Sequence, residues 1–243
     1  MNTFTEKIQH RMKYDRDPRL IIASDKILFR FYVEHKLPGV NLFQHRLYNG
    51  YDRDAAVKAV QKNTCIKISN GWHKYRFIFD TPDPVKINAA IDGWLNAPAK
   101  LAEWGYNYTR TGFTVEKIIN PVNTVIKVFC FHGRAEYVWF QTYDIRKGDV
   151  NCTLATLYNR DLKKLNAPFG KRPDPDYKIP KRINDIIAYS EKIASDWDHL
   201  RVDLFYNYDD DKIYLSELVP YTGAGTTGFP DSINTAMGAK WKI

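Results

Sequence analysis

Two acidic residues stand among apolar neighbours near the end of the chain, Asp203 in the segment RVDLF and Glu217 in IYLSELV. Both segments alternate like β-strands, and if 209–211 forms the loop between them, the two acids lie directly opposite each other with Cβ atoms roughly 5 Å apart. Carboxylates so close repel unless a cation separates them or one keeps its proton. Their oxygens suit a hard cation such as Mg²⁺. Alternatively, Arg201 neutralises one acid and Lys212 the other on a solvated face.

The alternation also predicts which side chains accompany these acids. A period of two places Leu215, Glu217 and Val219 on one face of the second strand. The aspartate run at 209–211 is predicted to be turn chemistry, because Asp tolerates turn geometry and hydrogen-bonds its own backbone.

Two lysines lie in the middle of apolar strand patterns, Lys67 in CIKIS and Lys127 in TVIKVFCF. Such lysines need an anion, which nucleotide phosphates would supply, or else a stem that reaches water from an edge strand. Two of them beside a candidate metal pair favour phosphate. Glu116 in TVEKII could accept hydrogen bonds from ribose hydroxyls or face water. Asn70 and Gly71 in SNGW could cover a phosphate, although a hairpin explains Asn-Gly equally well.

Other catalytic and metal-binding patterns are not indicated. The sequence contains no GxxxxGK[ST] motif, and its six histidines show no metal spacing. Cys65, Cys130 and Cys152 are odd in number and far apart, which argues against a disulfide framework and favours a reducing compartment. The N-terminus lacks the apolar core of a signal peptide, and no apolar run approaches the ~20 residues of a membrane span. We therefore expect a cytoplasmic protein.

The composition is typical of an ordered globular protein, with 44% hydrophobic and 14% aromatic residues in 243. The net charge of +8 favours a polyanionic partner such as nucleotide phosphates, nucleic acid, an acidic polysaccharide or an anionic membrane face. Since the lysines and arginines are spread along the chain, a generally basic surface is an equally good interpretation.

The elements that must position these residues predict an α+β fold with antiparallel sheets, arranged as two lobes that share a cleft. Helical spacing occurs at 4–13, 24–36, 52–61, 83–103, 182–197 and 230–241. Strand patterns occur at 64–69, 74–80, 113–119, 123–132, 135–142 and 150–157, before the two strands that carry the acids. Ser24 is predicted to be the N-cap of the second helix. The Asn-Gly pair predicts a hairpin between the first two strands.

The order of these segments resembles the ATP-grasp fold, and more narrowly the TupA-like ATP-grasp family, named for teichuronopeptide biosynthesis. SDKILFRFYVEHKL resembles its N-terminal D-K-x-x-x-R-x-Y-V segment, CIKISNGW the first lysine strand with the phosphate loop, and GWLN…EWGYNY the W-rich linker. VEKII is similar to the adenine hinge, IKVFCFHG to the second lysine strand, and the segment from Leu200 to Gly225 to the R-V-D…G-E-x-T…G-x-G terminus. The resemblance implies a helical N-terminal segment at 1–62, a small lobe at 63–112 and a larger lobe at 113–243.

The resemblance also implies the contacts of an ATP and Mg²⁺ site between the lobes. The implied ATP-binding residues are Lys67, Asn70, Gly71, Glu116, Lys117, Ile118, Ile119 and Lys127. Asp203 and Glu217 would hold Mg²⁺, and Arg201 would act with Lys127 at the transferred phosphate. The candidates for binding an anionic acceptor are Arg30, Arg146, Arg160, Gly223 and Gly225.

The implied activity is that of an ATP-dependent carboxylate–amine ligase with an acyl-phosphate intermediate, acting on a small molecule or glycan in surface polysaccharide or glycoconjugate biosynthesis. The alternatives are an ATP-dependent phosphotransferase or glycan-assembly transferase, an amino-acid ligase that modifies nucleic acid, which is less favoured, and a non-catalytic binder of nucleotide or polyanion. Val219 stands where many ATP-grasp enzymes have a metal-binding Asn, and Val125 where the family pattern tends to have an acid. The first departure leaves the number of metal ions open.

Overall fold

The computed structural model of the chain describes residues 1–71, 74–97, 103–119, 124–142, 154–167 and 177–243. The chain divides into two compact units. Unit 1 comprises Met1–Asp15, Lys36–Leu42 and Asn120–Ile243, and unit 2 comprises Arg16–His35 and Phe43–Ile119. The α-helices of the described residues are α1 (Phe4–Tyr14), α2 (Arg19–Ser24), α3 (Leu28–Lys36), α4 (Arg53–Ala59), α5 (Pro84–Asn96), α6 (Ile183–Ile193) and α7 (Asp231–Lys240). The strands are β1 (Arg46–Gly50), β2 (Thr64–Ile68), β3 (Tyr75–Ile78), β4 (Phe113–Lys117), β5 (Thr124–Phe131), β6 (Arg134–Thr142), β7 (Leu154–Asn159), β8 (His199–Asn207) and β9 (Lys212–Val219).

Unit 1 is built on a five-stranded antiparallel sheet with the strand order β7-β6-β5-β8-β9. The residues His132 and Gly133 join β5 to β6 with φ of 49° and 76°, the positive values that a tight two-residue hairpin requires. One face carries Phe129 and Trp139, which pack with residues of α1 and α7 in an aromatic core. The opposite face, which includes Ile126, is equally buried, and α6 contacts β5, β6 and β8. The predicted antiparallel sheet is confirmed.

A polar cluster lies buried where α1 meets the start of β8. The Arg11 guanidinium pairs with Asp198 and donates to the His199 carbonyl at 2.8 Å, while its plane lies 4.4 Å from the Trp241 ring centroid. The His199 ring is fully buried among aromatic rings, and its Nδ1 lies 2.9 Å from the Cys130 carbonyl oxygen. Burial and the nearby Arg11 charge lower the pKa of His199 to about 3. The ring is therefore neutral in the folded state.

This neutral histidine predicts a loss of stability in mild acid. Between the ordinary pKa of 6.5 and the folded value of about 3, the unfolded chain binds a proton that the folded chain excludes. The free energy of unfolding therefore falls as the pH falls through this window, by up to about 1.4 kcal/mol per pH unit. Urea unfolding between about pH 6.5 and pH 5 should show a steeper pH dependence for the natural chain than for His199→Gln. Equal slopes would contradict this role of His199.

Unit 2 is built on a four-stranded antiparallel sheet with the order β1-β4-β2-β3. Its apolar face, with Ile66 and Val115, packs against α4 and α5. The side chains of Asp52 and Asp83 accept hydrogen bonds from backbone N–H groups in the first turns of α4 and α5, as N-caps do. The β2–β3 hairpin confirms the prediction made from Asn-Gly, although residues 72 and 73 of its turn lie outside the described residues.

Several element boundaries differ from the sequence-based expectation. Ser24 ends α2 instead of capping the next helix, since its hydroxyl donates to the Leu20 carbonyl, and Asp25 caps α3 by accepting from the N–H groups of Ile27 and Leu28. The helix expected at 83–103 ends at Asn96, and 98–102 lie outside the described residues. The short strand β1 was not predicted.

The unit boundaries also differ from the predicted 62/63 and 112/113. The strand β4 forms main-chain hydrogen bonds with β1 and β2, so unit 2 extends to Ile119 and takes in residues of the expected N-terminal segment. Among the helices of the described residues, none combines the length and the apolar character needed to cross a bilayer.

Candidate functional site

The β8–β9 hairpin brings the two predicted acids together. Asp203 and Glu217 are paired residues of its antiparallel register, as expected from the sequence. The route to this pairing differs, because the loop is 208–211 and the register shifts by one residue between Asp203 and Leu204. Ser216 is the extra residue of the resulting β-bulge; without it, the same loop would place Ser216 opposite Asp203. The bulge therefore sets the acid pair.

The bulge also corrects the predicted facing of β9. Leu215 pairs with Leu204, and paired residues of an antiparallel ladder point to the same face. Leu215 therefore lies on the face opposite to Asp203 and Glu217, and not beside Glu217 as uninterrupted alternation predicted. Both leucines are buried in the apolar interior, whereas Glu217 is half-buried.

A row of functional side chains crosses the sheet of unit 1. Lys127 on β5 pairs with Trp139 on one side and with Asp203 on the other, and Asp203 pairs with Glu217. The Lys127 ammonium lies 4.0 Å from an Asp203 carboxylate oxygen and 5.5 Å from the Trp139 ring centroid. Because β5 is the central strand, the alternative of a lysine that reaches water from a sheet edge is wrong for Lys127.

Arg201 lies one pleat from this row and binds Asp203 with both arms of its guanidinium. Its Nε donates to Oδ1 at 2.6 Å and its Nη2 to Oδ2 at 2.7 Å, with both side chains buried. The first half of the alternative interpretation, in which Arg201 neutralises an acid, is therefore correct. The second half is wrong, because Lys212 pairs with Asp210 in the exposed loop region. Glu217 forms no ion pair with any residue that the structure describes.

The two carboxylates fit the donor chemistry of a hard cation. Each carboxylate oxygen has two lone pairs, so the Arg201 fork leaves acceptor capacity on Asp203, and Glu217 retains all of its own. Val219, which pairs with Arg201, contributes no side-chain oxygen. No group of three acidic, His or Cys side chains suited to a metal occurs among the described residues. Protein ligands from this hairpin would therefore be two carboxylates, with other positions left to substrate oxygens, as is common for Mg²⁺.

In unit 2 the predicted lysine and hinge glutamate meet in a buried ion triad. The Lys67 ammonium lies 2.6 Å from Oε2 of Glu116, and the Nε of Arg46 lies 2.8 Å from Oε1. Lys67 lies on an interior strand, and Glu116 is 5% exposed. The alternatives in which Lys67 reaches water from a sheet edge and Glu116 faces water are therefore wrong.

The triad keeps all three groups charged. Burial by itself raises the pKa of Glu116, but the opposing charges of Lys67 and Arg46 lower it to about 2. Burial by itself lowers the pKa of Lys67, but the Glu116 carboxylate raises it above its ordinary value. Two cations therefore share one carboxylate on the face of the sheet opposite to α4 and α5.

The turn with Asn70 and Gly71 is anchored to the segment before α3. The Lys26 ammonium donates to the Gly71 carbonyl at 2.8 Å, and the Lys26 N–H donates to the Ser69 carbonyl at 3.0 Å. The Asn70 side chain donates to the Thr109 carbonyl at 3.2 Å. These bonds hold the predicted phosphate turn on unit 2.

The rest of the predicted hinge continues β4. Lys117 is exposed and its N–H donates to the His45 carbonyl at 3.0 Å, while the Ile118 N–H donates to the Asn63 carbonyl at 2.9 Å. Ile119 is half-buried at the end of unit 2.

The candidate acceptor-binding residues are dispersed. Arg30 pairs with Glu34 on α3 in unit 2, and Arg160 pairs with Glu191 in unit 1. Arg146 lies outside the described residues. Gly223 and Gly225 lie in a tight turn with φ of 56° and 64°, which favours glycine at both positions.

Arg46 is the site residue that sequence reasoning missed. It begins β1, a short strand with little apolar alternation, so its pairing with β4 was not anticipated. The available signal was a charged residue at the start of RLYNG, a segment too weakly patterned to identify as a strand.

Comparison with known proteins agrees with this architecture. The family model described as TupA-like ATPgrasp matches residues 103–242, more than half of the chain. The fold is similar to that of D-alanine–D-alanine ligase from Helicobacter pylori, with a TM-score of 0.52 and 13% identity over 91% of this chain and 62% of that one. It is also similar to L-amino acid ligase from Bacillus licheniformis, with a TM-score of 0.52 and 12% identity over 84% of this chain and 41% of that one.

A third solved structure extends the fold comparison. The T882A variant of Rhizobium etli pyruvate carboxylase matches with a TM-score of 0.54 and 16% identity over 90% of this chain and 18% of its own. The chain therefore spans less than two thirds of the length of each of these proteins. A search of curated protein sequences finds no match. The fold expected from the sequence is confirmed, and the chain belongs to the TupA-like ATP-grasp family.

Proposed function

We propose that the chain is an ATP-dependent carboxylate–amine ligase. The observation that carries this proposal is the row of Lys127, Asp203 and Glu217 on one sheet face, with Arg201 one pleat away, in a member of an ATP-grasp family. This set combines two cations with two carboxylates, the groups needed to hold a metal–triphosphate and to stabilise charge during its transfer.

Each residue has a proposed role. Asp203 and Glu217 hold Mg²⁺, which when bound neutralises charge that develops on the phosphate oxygens. Lys127 contacts the phosphates, and Arg201, fixed by its two bonds to Asp203, is aimed at the transferred group. In unit 2, Lys67 and the turn at Asn70 and Gly71 contact phosphates.

The adenine is proposed to bind along the hinge that follows Glu116. The residues concerned are Lys117, Ile118 and Ile119. Since both oxygens of Glu116 are bound by Lys67 and Arg46, a ribose contact by this side chain would have to use its remaining lone pairs.

The proposed reaction has two balanced steps. A substrate carboxylate oxygen attacks the γ-phosphorus of ATP, the bond to the bridging oxygen breaks, and ADP leaves, which yields an acyl phosphate. An amine then attacks the carbonyl carbon, phosphate leaves with the C–O bonding pair, and the amine loses a proton. The products are an amide, ADP and phosphate. The fixed cations act by lowering the energy of the extra negative charge in each transition state.

We propose an anionic small molecule or glycan acceptor from surface polysaccharide or glycoconjugate assembly, with the reaction in the cytoplasm where ATP is available. The family description and the net charge of +8 support this choice. Arg30, Arg160 and the Gly223–Gly225 turn remain the proposed acceptor contacts among the described residues.

Nucleotide binding is the first test. Mg²⁺–ATP at about 100 times its dissociation constant should stabilise the fold by about 2.7 kcal/mol, which corresponds to a rise in Tm of at least about 5 °C. Adenosine with Mg²⁺ is the control and should shift Tm less, because it lacks the phosphates. If neither ATP nor ADP raises Tm in the presence of Mg²⁺, the proposal fails.

The type of reaction is tested by its products. ADP release that requires both a carboxylate and an amine, with an amide product found by mass spectrometry, supports the ligase. A phosphorylated acceptor without an amide would overturn the ligase in favour of a phosphotransferase.

A further inference from the structure

We infer that Arg46 is a positioning residue for nucleotide binding: it neutralises Glu116 so that the Lys67 ammonium keeps an unmatched positive charge for a phosphate. This inference rests on the proposed function and assigns a role to a residue outside the expected site. It follows from the geometry of the triad, from its charge and from the way in which Arg46 is held.

The geometry connects Arg46 to Lys67 through one carboxylate. Arg46 pairs with Glu116 in the β1–β4 register, and their side chains are 6% and 7% exposed. The Lys67 side chain approaches the other carboxylate oxygen and is 17% exposed, more than either partner. Lys67 is therefore the member of the triad that a ligand reaches most easily.

The charge of the triad is the second step. Two cations and one carboxylate sum to +1, in surroundings where Coulomb interactions are stronger than in water. Without Arg46, Lys67 and Glu116 would form a neutral pair, and a phosphate would compete with Glu116 for the same ammonium. With Arg46 present, the surplus charge favours an anion beside Lys67.

Arg46 is also fixed by bonds on its remaining nitrogens. Its Nη1 donates to the Asn49 side-chain oxygen at 2.8 Å, and its Nη2 donates to the Lys26 carbonyl at 3.1 Å. A lysine at position 46 would keep the charge but could not reproduce three bonds in the plane of a guanidinium. The contact to Lys26 also joins Arg46 to the residue that binds the Gly71 carbonyl.

The experiment compares the natural chain with Arg46→Met, Arg46→Lys and the double variant Arg46→Met/Glu116→Gln. Isothermal titration calorimetry gives the Kd of ATP and of adenosine in the presence of Mg²⁺. Arg46→Met should raise the Kd of ATP by about tenfold or more and leave that of adenosine within about twofold. Arg46→Lys should give an intermediate Kd for ATP.

The double variant separates this role from a merely structural one. It leaves Lys67 as the single charge, which restores the net charge of +1, so the Kd of ATP should return toward the natural value even if Arg46→Met alone folds poorly. Arg53→Met removes an arginine that pairs with the exposed Asp92 of the same unit, and should leave the Kd of ATP unchanged.

The outcomes distinguish this inference from the proposed function. If the natural chain binds no ATP, both fail. If it binds ATP and Arg46→Met binds equally well, or if the double variant remains as weak as a poorly binding Arg46→Met, the inference about Arg46 is overturned and the proposed function stands.

Discussion

Glu217→Gln is expected to lower the rate of ADP formation from Mg²⁺–ATP by at least about 100-fold, while Tm stays within about 2 °C of the natural value. The substitution removes one of two carboxylates proposed to hold the metal but keeps the size of the side chain. Stability should change little because Glu217 is half-buried and forms no ion pair within the described ranges. A coupled assay for ADP, with a panel of amino acids as amine donors, measures the rate.

Asp210→Asn is the matched control for this prediction. Asp210 lies in the loop of the same hairpin and pairs with the exposed Lys212, so its neutralisation should leave the rate unchanged within about twofold. A rate for Glu217→Gln close to that of the natural chain would remove Glu217 from the proposed metal site. Asp203 is less suitable for this test, because its loss would leave the buried Arg201 without its carboxylate.

The second large effect concerns stability and is expected at Glu116. Glu116→Gln should lower the free energy of unfolding by about 3–5 kcal/mol, because Lys67 and Arg46 would remain buried with no carboxylate to balance their charges. Urea-induced unfolding followed by circular dichroism measures this loss. The change exceeds that of an ordinary surface substitution because the protein interior cannot screen two adjacent cations.

Glu34→Gln is the control within the same unit. Glu34 pairs with Arg30 on α3 and is substantially exposed, so its neutralisation should cost less than about 1 kcal/mol. If the two variants lose similar stability, the Glu116 triad does not contribute as its burial indicates. In that case the charge argument for Arg46 would also lose its basis.

Much of the site could be predicted from the sequence because it rests on local patterns. Alternation in RVDLF and IYLSELV identified two strands, and the short polar loop between them limited their pairing to a hairpin. Lysines at the centres of apolar segments could be recognised as unusual without knowledge of their partners. The order of these segments then identified the family, which the match over residues 103–242 confirms.

Pairings between distant segments could not be predicted in the same way. Arg46 and Glu116 are 70 positions apart, and β1 has too weak a pattern to show that it joins the sheet. The partner of Glu116 depends on strand order, and strand order is set by packing of the whole unit. This is why the sequence suggested a ribose contact or a solvent-facing side chain where the fold has an ion triad.

The opposition of Asp203 and Glu217 could be read from the chain itself, since residues equidistant from a hairpin loop pair across it. The bulge at Ser216 could not, because an extra residue in one strand depends on how the two faces of the sheet pack. Only the tertiary structure decided that Leu215 leaves the face of the acids, that Arg201 binds Asp203 with both arms, and that Arg46 shares Glu116 with Lys67. Sequence pattern determines which residues are placed in strands, whereas the balance of buried charges is settled by contacts between segments far apart in the chain.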